Sequence, residues 1–225
     1  MAEKPNQGEL QRRRFAEARR AMLEGQIKRR GVRDPRVLDA MSRIPREEFV
    51  PAKFRNRAYG DWPVSIGFGQ TISQPFTVAY MAEALLLTGE ENVLEVGTGS
   101  GYGAAVLSQL AASVHTIERI PELAQQAAHL MRWLGYQNVT VHAGSGSLGL
   151  PECAPFDAIV VTAAARELPE PYREQLTEGG RILIPLGDAG AQSMFRFTKR
   201  SNDLEMENLG GFVFVPLIGE YGWEE

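Results

Sequence analysis

Residues 93–103 have the sequence VLEVGTGSGYG, in which a short apolar strand runs into a glycine-rich turn and then into a helix. Such a turn lets a ligand approach the backbone closely, and the helix that follows offers free N–H groups to the ligand. The glycine spacing does not identify the ligand, because Gly99-x-Gly101-x-x-Ala104 also fits the dinucleotide-binding pattern. The stretch therefore predicts a nucleotide-binding turn and leaves the nucleotide open.

Strands and helices alternate on both sides of this turn. The predicted strands are NVLEV, SVHTIE, NVTVHA, FDAIVV and RILIPL, and the predicted helices between them include YGAAVLSQLA and PELAQQAAHLMRWLG. This alternation predicts an α/β fold with a Rossmann-like, mostly parallel sheet. Near the C-terminus, SMFRFTKR and GFVFVPLI flank a polar segment without a helix between them, which predicts an antiparallel hairpin at one edge of the sheet.

The region before the sheet has a different pattern, rich in helices and loops. Asp34-Pro35 has the form of an N-cap followed by proline at the first helical position, and this helix is expected to end near Ile44. Residues 45–74 are loop-rich, and a further helix is predicted from Pro75. An earlier amphipathic helix is predicted from apolar residues at helical spacing, namely Leu10, Phe15, Ala18, Met22 and Ile27. We divide the chain into an N-terminal extension (1–74) and a core (75–225) that together form one compact domain.

Composition narrows the classes of protein that need to be considered. The chain has 225 residues, of which 44% are hydrophobic and 23% charged, as in ordinary globular proteins. It contains no apolar run of the ~18–20 residues that a membrane span needs. The N-terminus lacks the apolar segment of a secretory signal, and the single Cys153 excludes an internal disulfide, so we expect a cytoplasmic protein.

Two further features bear on metals and nucleic acid. The three histidines, at positions 115, 129 and 142, show no metal-ligand spacing, so no metal is expected.

Residues 1–36 carry 11 Lys/Arg against 5 Asp/Glu, whereas the remainder carries 13 against 23. A basic arm can bind nucleic acid, but its helical apolar spacing favours an amphipathic helix with a solvated basic face.

Two acidic residues narrow the choice of nucleotide. Glu95 lies just before the glycine-rich turn, at the end of the strand, where it would repel a pyrophosphate but attract the ammonium and sulfonium groups of S-adenosylmethionine. Glu118 ends the second strand, where an acid can accept hydrogen bonds from both hydroxyls of a ribose. The alternatives are a solvated charge at the strand end for Glu95 and a surface residue paired with Arg119 for Glu118.

At this point the chain resembles a known family, the protein-L-isoaspartate (D-aspartate) O-methyltransferases. The motifs that carry the resemblance are VLEVGTGSGYGAA, GQTISQP (69–75), FDAIVVTAAARELP, RIPREEFVP, GGRILIPLG and FVPLIG. They extend from about Met41 to Gly219. The glycine turn is shared by many methyltransferases, whereas GQTISQP is much more specific to this family.

The resemblance implies methyl transfer from S-adenosylmethionine to the free α-carboxylate of L-isoaspartyl residues in damaged proteins and peptides. It implies that Ser73 is the active-site residue, whose hydroxyl donates to the substrate carboxylate; the alternative is that Ser73 only caps the next helix. Expected neighbours in the substrate pocket are Thr71, Ile72 and Gln74. Expected cofactor-binding residues are Glu95, Gly97, Thr98, Gly99, Ser100, Gly101, Glu118, Arg119, Ser145, Gly146 and Thr162.

The sequence departs from the family pattern at one position. The family usually has Gly-Asp-Gly after the third strand, where the Asp helps to hold the adenine, and this chain has Gly144-Ser145-Gly146. Ser145 can accept a hydrogen bond from the adenine but carries no charge, so weaker cofactor binding is an expectation.

Two other classes of function remain open from the sequence. A methyltransferase of RNA or of a small molecule can share the fold, and the basic arm is the feature in its favour. A non-catalytic cofactor-binding protein is the other class, although Ser73 and Glu95 are both present. We further expect a monomer, with neither a metal nor a membrane among its partners.

Overall fold

The computed structural model describes residues 6–188, 190–201 and 203–224, and it begins with helices. Helix α1 (Gln7–Met22) continues into a π-helical turn (Leu23–Ile27) and a 3-10 turn (Lys28–Arg30). Met22 and Ile27 are buried, as the helical spacing predicts. Leu10, another residue of that spacing, is 47% exposed: residues 6–14 are all exposed, because the first turns of α1 extend beyond the core. Residues 1–5 of the N-terminal extension lie outside the described residues.

Helix α2 (Pro35–Arg43) has the predicted start and end. The Asp34 side chain accepts a hydrogen bond from the backbone N–H of Arg36, and Pro35 occupies the first helical position. Ile44 is the C-cap of the helix. The N-cap and proline signal is local, so the sequence alone was enough to place this helix.

The segment predicted as loop contains regular structure. Two 3-10 helices (Arg46–Phe49 and Ala52–Arg57) precede a two-stranded antiparallel hairpin of β1 (Val64–Gly67) and β2 (Gln70–Ile72). Phe68 and Gly69 form the hairpin turn, both at positive φ. Helix α3 (Pro75–Ala84) then begins at the predicted proline.

A seven-stranded sheet forms the centre of the described structure. Its helices are α4 (Tyr102–Leu107), α5 (Pro121–Leu134) and α6 (Glu170–Glu174). Its strands are β3 (Asn92–Val96), β4 (Ser113–Glu118), β5 (Val139–Ala143), β6 (Phe156–Val161), β7 (Leu176–Asp188), β8 (Ala191–Arg200) and β9 (Asp203–Phe212). The spatial order is β5-β4-β3-β6-β7-β8-β9, parallel from β5 to β7 and antiparallel from β7 to β9. This confirms the predicted Rossmann-like sheet with an antiparallel C-terminal part.

The C-terminal hairpin exists, but its second strand differs from the prediction. The polar segment expected to be the turn forms most of β9, and the apolar GFVFVPLI lies mostly beyond it. Strand β9 lies at the edge of the sheet and its residues are largely exposed, so it can be polar. Residues 213–218, which we name the C-terminal segment, instead run beside the chain just beyond the carboxyl end of β6, where Pro216 forms a bridge with Ala164.

The N-terminal extension and the sheet share one hydrophobic cluster. Buried residues of the extension such as Met41 and Ile66 pack in the same cluster as Val93 and Val114 of the sheet. A second cluster that includes Leu94, Phe156 and Ile159 covers the other face. We therefore infer that the extension and the core form one compact domain. No helix of the described residues combines the length and the apolar character that crossing a membrane requires.

Candidate active site

A cavity of about 360 Å³ opens at the carboxyl ends of β3 and β6, where the strand order of the parallel sheet reverses. Ligands bind at this switch point in open α/β sheets. The cavity, which we name the first cavity, is bounded by two groups of residues. Glu95, residues 97–100, Tyr102, Gly103 and Glu118 form the turn region, and residues 69–73 form the Ser73 segment.

The glycines of the turn region stand where larger residues would collide with neighbouring groups. A Cβ atom on Gly97, whose φ is +96°, would lie 2.3 Å from Oγ1 of Thr162. A Cβ on Gly103 would lie 2.1 Å from Oε1 of Glu95. Thr162 in turn donates to the backbone oxygen of Gly97 at 2.8 Å, which ties the end of β6 to the turn. The glycines thus allow two strand ends and a carboxyl group to meet at the cavity.

Glu95 is a buried acid, which excludes the alternative of a solvated strand-end charge. It is 1% exposed, and its Oε2 accepts a 2.7 Å hydrogen bond from Thr116, whose hydroxyl contacts that of Thr98. Burial raises the pKa of Glu95 to about 8, and the charge of Glu118 adds to this rise. Without a cationic partner the group is mostly protonated at neutral pH, and a bound cation would favour its ionised form.

Glu118 is also buried, at 7% exposed, so the surface alternative is wrong. Its Oε2 accepts from the backbone N–H of Gly99 at 2.8 Å, and its Oε1 accepts from that of Ile120 at 3.0 Å. These two bonds orient the carboxylate beside the glycine turn. Each carboxylate oxygen can accept more than one bond, so the group retains acceptor capacity toward a ligand in the first cavity.

Ser73 does not act as a cap for α3. The N-cap of that helix is Gln74, and no side chain caps its first turn. The Ser73 side chain lines the first cavity, and among the described residues its hydroxyl forms no hydrogen bond. The hydroxyl is therefore available to a ligand.

Arg46, which the sequence analysis missed, holds the backbone of Ser73. Its side chain is fully buried; Nε donates to the Ala58 oxygen and Nη2 to the Ser73 oxygen, each at 2.6 Å. The guanidinium carbon lies 4.6 Å from the ring centroid of Tyr102, the residue that begins α4. Arg46 thereby links the Ser73 segment to the helix that follows the glycine turn. The only sequence signal is its place in RIPREEFVP, one of the family-like motifs.

A second cavity of about 780 Å³ lies on the other side of Ser73. It shares Thr71, Ser73, Thr162 and Val215 with the first cavity. Its other lining residues include apolar side chains of α3 and of residues 212–215, and also Arg30. Ser73 thus lies where the two cavities meet.

The structure brings most of the predicted site residues together. Those that line the first cavity are Thr71, Ile72, Ser73, Glu95, Gly97, Thr98, Gly99, Ser100, Glu118, Arg119, Gly146 and Thr162, and Gln74 lines the second. Gly101 lies outside both, because its Cα faces Met131 of α5. Ser145 also lies outside: its hydroxyl is 3.1 Å from that of Ser147 and faces Gly219.

Several lining residues were not predicted from the sequence. They include Tyr102, Gly103, Ile117, Ile120 and four residues of the C-terminal segment, Val215, Pro216, Leu217 and Ile218. The C-terminal segment was predicted as a strand, so its passage across the cavity was not foreseen. The resemblance of FVPLIG to the family was the one signal that pointed to this segment.

Comparison with known proteins gives a consistent set of relatives. The family model for protein-L-isoaspartate(D-aspartate) O-methyltransferase matches residues 17–222. A protein-L-isoaspartate O-methyltransferase of Roseiflexus castenholzii is 54% identical over 93% of this chain and 95% of its own length. That of Dictyoglomus thermophilum is 48% identical with the same coverage.

Solved structures agree with these relatives. A protein-L-isoaspartate O-methyltransferase structure superposes with a TM-score of 0.80 at 31% identity, covering 91% of this chain and 67% of the other. A Plasmodium falciparum protein described as belonging to the same enzyme class was solved in complex with S-adenosyl-L-homocysteine. It superposes with a TM-score of 0.77 at 27% identity, covering 89% of this chain and 98% of the other.

Proposed function

The chain belongs to the protein-L-isoaspartate(D-aspartate) O-methyltransferase family, and from this membership we propose how its site carries out methyl transfer. The protein is an S-adenosylmethionine-dependent methyltransferase that acts on the free carboxylate of L-isoaspartyl residues. S-adenosylmethionine supplies an electrophilic methyl group on a sulfonium. The carboxylate oxygen forms the new bond to that methyl as the carbon–sulfur bond breaks, which leaves a methyl ester and S-adenosylhomocysteine.

The turn region fits S-adenosylmethionine by three observations. The first cavity is of the size of a small-molecule site, and the glycines leave the backbone open where a Cβ would fill the space. Glu118 is placed beside the turn to accept from the ribose hydroxyls. Glu95, a buried acid that accepts a hydrogen bond from the neutral hydroxyl of Thr116, suits the ammonium or sulfonium of the cofactor.

Ser73 is the proposed catalytic residue on the substrate side. An α-carboxyl group with a pKa of about 3.3–3.7 is already ionised at neutral pH, so the reaction needs no general base. The Ser73 hydroxyl can hold one carboxylate oxygen as a neutral donor and leave the other free to react. The single observation that carries this proposal is that the unpartnered hydroxyl lies where the two cavities meet.

The second cavity is proposed to receive the peptide around the damaged residue. Its apolar lining suits side chains of the peptide, and Arg30, which stacks 3.6 Å from the ring centroid of Phe76 and pairs with Asp61, lines the same cavity. The C-terminal segment covers the first cavity and would help to exclude water.

We also propose that the protein is a cytoplasmic monomer that does not bind nucleic acid. The absence of nucleic-acid binding is supported by two arginines of the basic arm that already have partners within the protein. Arg19 bonds to Tyr59 and Glu47, and Arg30 pairs with Asp61. Sedimentation analysis tests the monomer, and salt-dependent RNA binding would contradict the proposal on nucleic acid.

The activity is tested with a pair of peptides that differ only in an isoaspartyl or an aspartyl linkage. Labelled methyl groups from S-adenosylmethionine should appear in the isoaspartyl peptide and be nearly absent from its twin. Equal labelling of both, or labelling of RNA alone, would overturn the proposed substrate.

The role of Ser73 is tested by Ser73→Ala, with the exposed Ser65→Ala as a matched control on β1. Loss of one hydrogen bond to a charged group, about 1.5–3 kcal/mol, should lower kcat roughly tenfold to a hundredfold. The Kd of S-adenosylmethionine should hardly change. Full turnover in a folded Ser73→Ala variant would exclude the hydroxyl from the reaction.

A further inference from the structure

Three side chains that can bind a metal lie together outside the two cavities. His115 on β4, His142 on β5 and Cys153 in the 3-10 turn Pro151–Cys153 each present a ligand atom, and these atoms lie within 4.8 Å of one another. The three residues are far apart in the chain, so their spacing in the sequence does not reveal a metal site. They meet because β4 and β5 are adjacent, with Ile117 opposite His142 in the register, so the two histidines share one face.

The geometry of the cluster is close to that of a tetrahedral metal site. Nδ1 of His115 and Nε2 of His142 are 3.1 Å apart. Two nitrogens bound to one tetrahedral zinc at about 2.0–2.1 Å lie about 3.3–3.4 Å from each other, and a nitrogen and a thiolate sulfur about 3.6 Å. The two histidine nitrogens are already close to the separation that zinc requires. The sulfur of Cys153 would have to move by roughly an ångström at most.

The surroundings hold the three side chains in place and leave them accessible. The ring of His115 packs against Phe156, with centroids 6.0 Å apart. The Cys153 turn is fixed by Asn92, whose side chain donates to the backbone oxygens of Cys153 and Pro155. All three ligand residues are half-buried, and β5 is the edge strand of the sheet, so an ion can reach them from solvent.

The cluster is separate from the methyl-transfer site. Side chains alternate along a strand, so His115 faces the side of the sheet opposite to Thr116, the residue that bonds to Glu95. No residue of the cluster lines either of the two cavities. The methyl-transfer chemistry does not use it, and its set of two imidazoles and one thiolate suits a borderline or soft transition metal.

We propose that His115, His142 and Cys153 form a binding site for one zinc-class divalent ion, with a fourth position open to water. The ion joins the edge strand β5, its neighbour β4 and the 151–153 turn. His142 and Cys153 flank the loop that contains Gly146, a residue of the first cavity, so a bound ion also ties down that loop.

The first experiment uses tag-free, reduced protein freed of metal by a chelator and titrated with Co²⁺ as a spectroscopic probe. Wild type should bind one equivalent with a thiolate-to-cobalt charge-transfer band that Zn²⁺ displaces. Cys153→Ser should lose the band, and His115→Gln and His142→Gln should weaken binding by about tenfold or more. The control is His129→Gln, which changes the one exposed histidine outside the cluster and should bind as wild type does.

The second experiment uses the fact that Cys153 is the only cysteine. Zn²⁺ should slow its alkylation by a maleimide and should raise Tm in wild type; at the same Zn²⁺ concentration both effects should be much smaller in His142→Gln, which keeps the thiol. Equal circular dichroism and equal Tm in chelator show that the variants fold alike. Absence of binding by wild type at micromolar metal, or unchanged affinity in Cys153→Ser, would overturn the proposal.

Discussion

Glu118 and Ser73 face the same cavity, but they are held in different ways. The carboxyl groups of the turn region bond to residues close to them: Glu118 accepts from the Gly99 and Ile120 backbones, and Glu95 accepts from the neighbouring strand residue Thr116. In the Ser73 segment the hydroxyl has no bond to a described residue, and the backbone is held by Arg46 from another element. The turn region is therefore held by bonds to nearby residues, whereas the position of the Ser73 segment depends on Arg46, which is distant in the sequence.

This difference predicts which kinetic quantity each side controls. A change within the turn region disturbs the acceptors for the cofactor and should appear as a change in its Kd. A change in the support of the Ser73 segment should misplace the substrate carboxylate and appear in kcat. Small errors of placement are costly, because transfer requires the reacting atoms to be aligned.

The largest effect is expected from Glu118→Ala. Two ribose hydroxyls lose a charged acceptor, and bonds of this kind are worth about 1.5–3 kcal/mol each, so the Kd of S-adenosylmethionine should rise about a hundredfold or more. Calorimetry on the folded variant measures this. Glu118→Gln keeps an acceptor oxygen and should lose less, and the exposed Glu122→Ala should lose nothing. An unchanged Kd of S-adenosylmethionine in Glu118→Ala would show that Glu118 does not bind the ribose.

The next effect is expected from Arg46→Lys, which tests Arg46 as a positioning residue. One ammonium cannot reproduce the fork that bonds to both Ala58 and Ser73. We expect kcat to fall roughly tenfold to a hundredfold, since about 1.5–3 kcal/mol of charge-assisted bonding is lost, with little change in cofactor Kd. Arg43→Lys, at an exposed position on α2, is the control. A variant that loses cofactor affinity and kcat together would contradict the separation of the two sides.

A smaller, pH-dependent effect is expected at Glu95, whose pKa burial raises to about 8. Cationic cofactor favours the ionised acid, so affinity should rise with pH from 6 to 8 by at most about tenfold per pH unit. Glu95→Gln has no such proton to release and should show a flatter profile. Calorimetry at several pH values measures both proteins with the same ligand, so titration of the ligand itself cancels. Parallel profiles would show that Glu95 does not interact with the cation.

The same raised pKa affects the stability of the ligand-free protein. The folded state holds the Glu95 proton more tightly than the unfolded chain, whose ordinary value is 4.5. This contribution to the unfolding free energy is fully present below pH 4.5 and is lost as the pH rises through about 8. Wild type should therefore lose stability relative to Glu95→Gln over this window in denaturant titrations. If the difference in unfolding free energy between the two proteins stayed constant with pH, the raised pKa of Glu95 would be contradicted.

The local signals explain what the sequence could predict. The strand, turn and helix around Gly97 and the Asp34 cap follow from neighbouring residues, and these predictions are confirmed. The hairpin of β1 and β2 was missed because each strand is only three or four residues long and lies among prolines and glycines. Strand β9 was mistaken for a turn because an exposed edge strand has no apolar alternation to reveal it.

The parts of the site that the sequence could not give depend on contacts between distant residues. Arg46 meets Ser73 across 27 positions, and nothing in either motif indicates that pairing. The histidines of β4 and β5 meet only through strand order. Gly101 was assigned to the cofactor from its motif, whereas its close neighbour is Met131 on α5. Sequence motifs identify which residues matter, and packing decides what each of them contacts.

The smallest change in cofactor affinity is expected at Ser145. The family resemblance and the structure give this residue different neighbours. The resemblance puts it at the adenine, where an acidic residue is usual. In the structure its hydroxyl is 3.1 Å from that of Ser147, and a Cβ on Gly219 would lie 2.6 Å from it. The residue therefore lies between the loop of the first cavity and the chain that follows the C-terminal segment.

Ser145→Asp should tighten cofactor binding if its side chain reaches the adenine. A charged acceptor bonds to the adenine amino group more strongly than a hydroxyl does, by about 1 kcal/mol, which is several-fold in Kd. Because S-adenosylmethionine and S-adenosylhomocysteine carry the same adenine, calorimetry should show the same gain for both. Ser145→Asn, of similar shape without the charge, should show less. Tightening of S-adenosylmethionine alone would mean that the new charge acts on the sulfonium. If neither ligand binds more tightly, the side chain of Ser145 does not reach the adenine. Its role is then the contact with Ser147 and Gly219, and this loop does not belong to the cofactor-binding turn region.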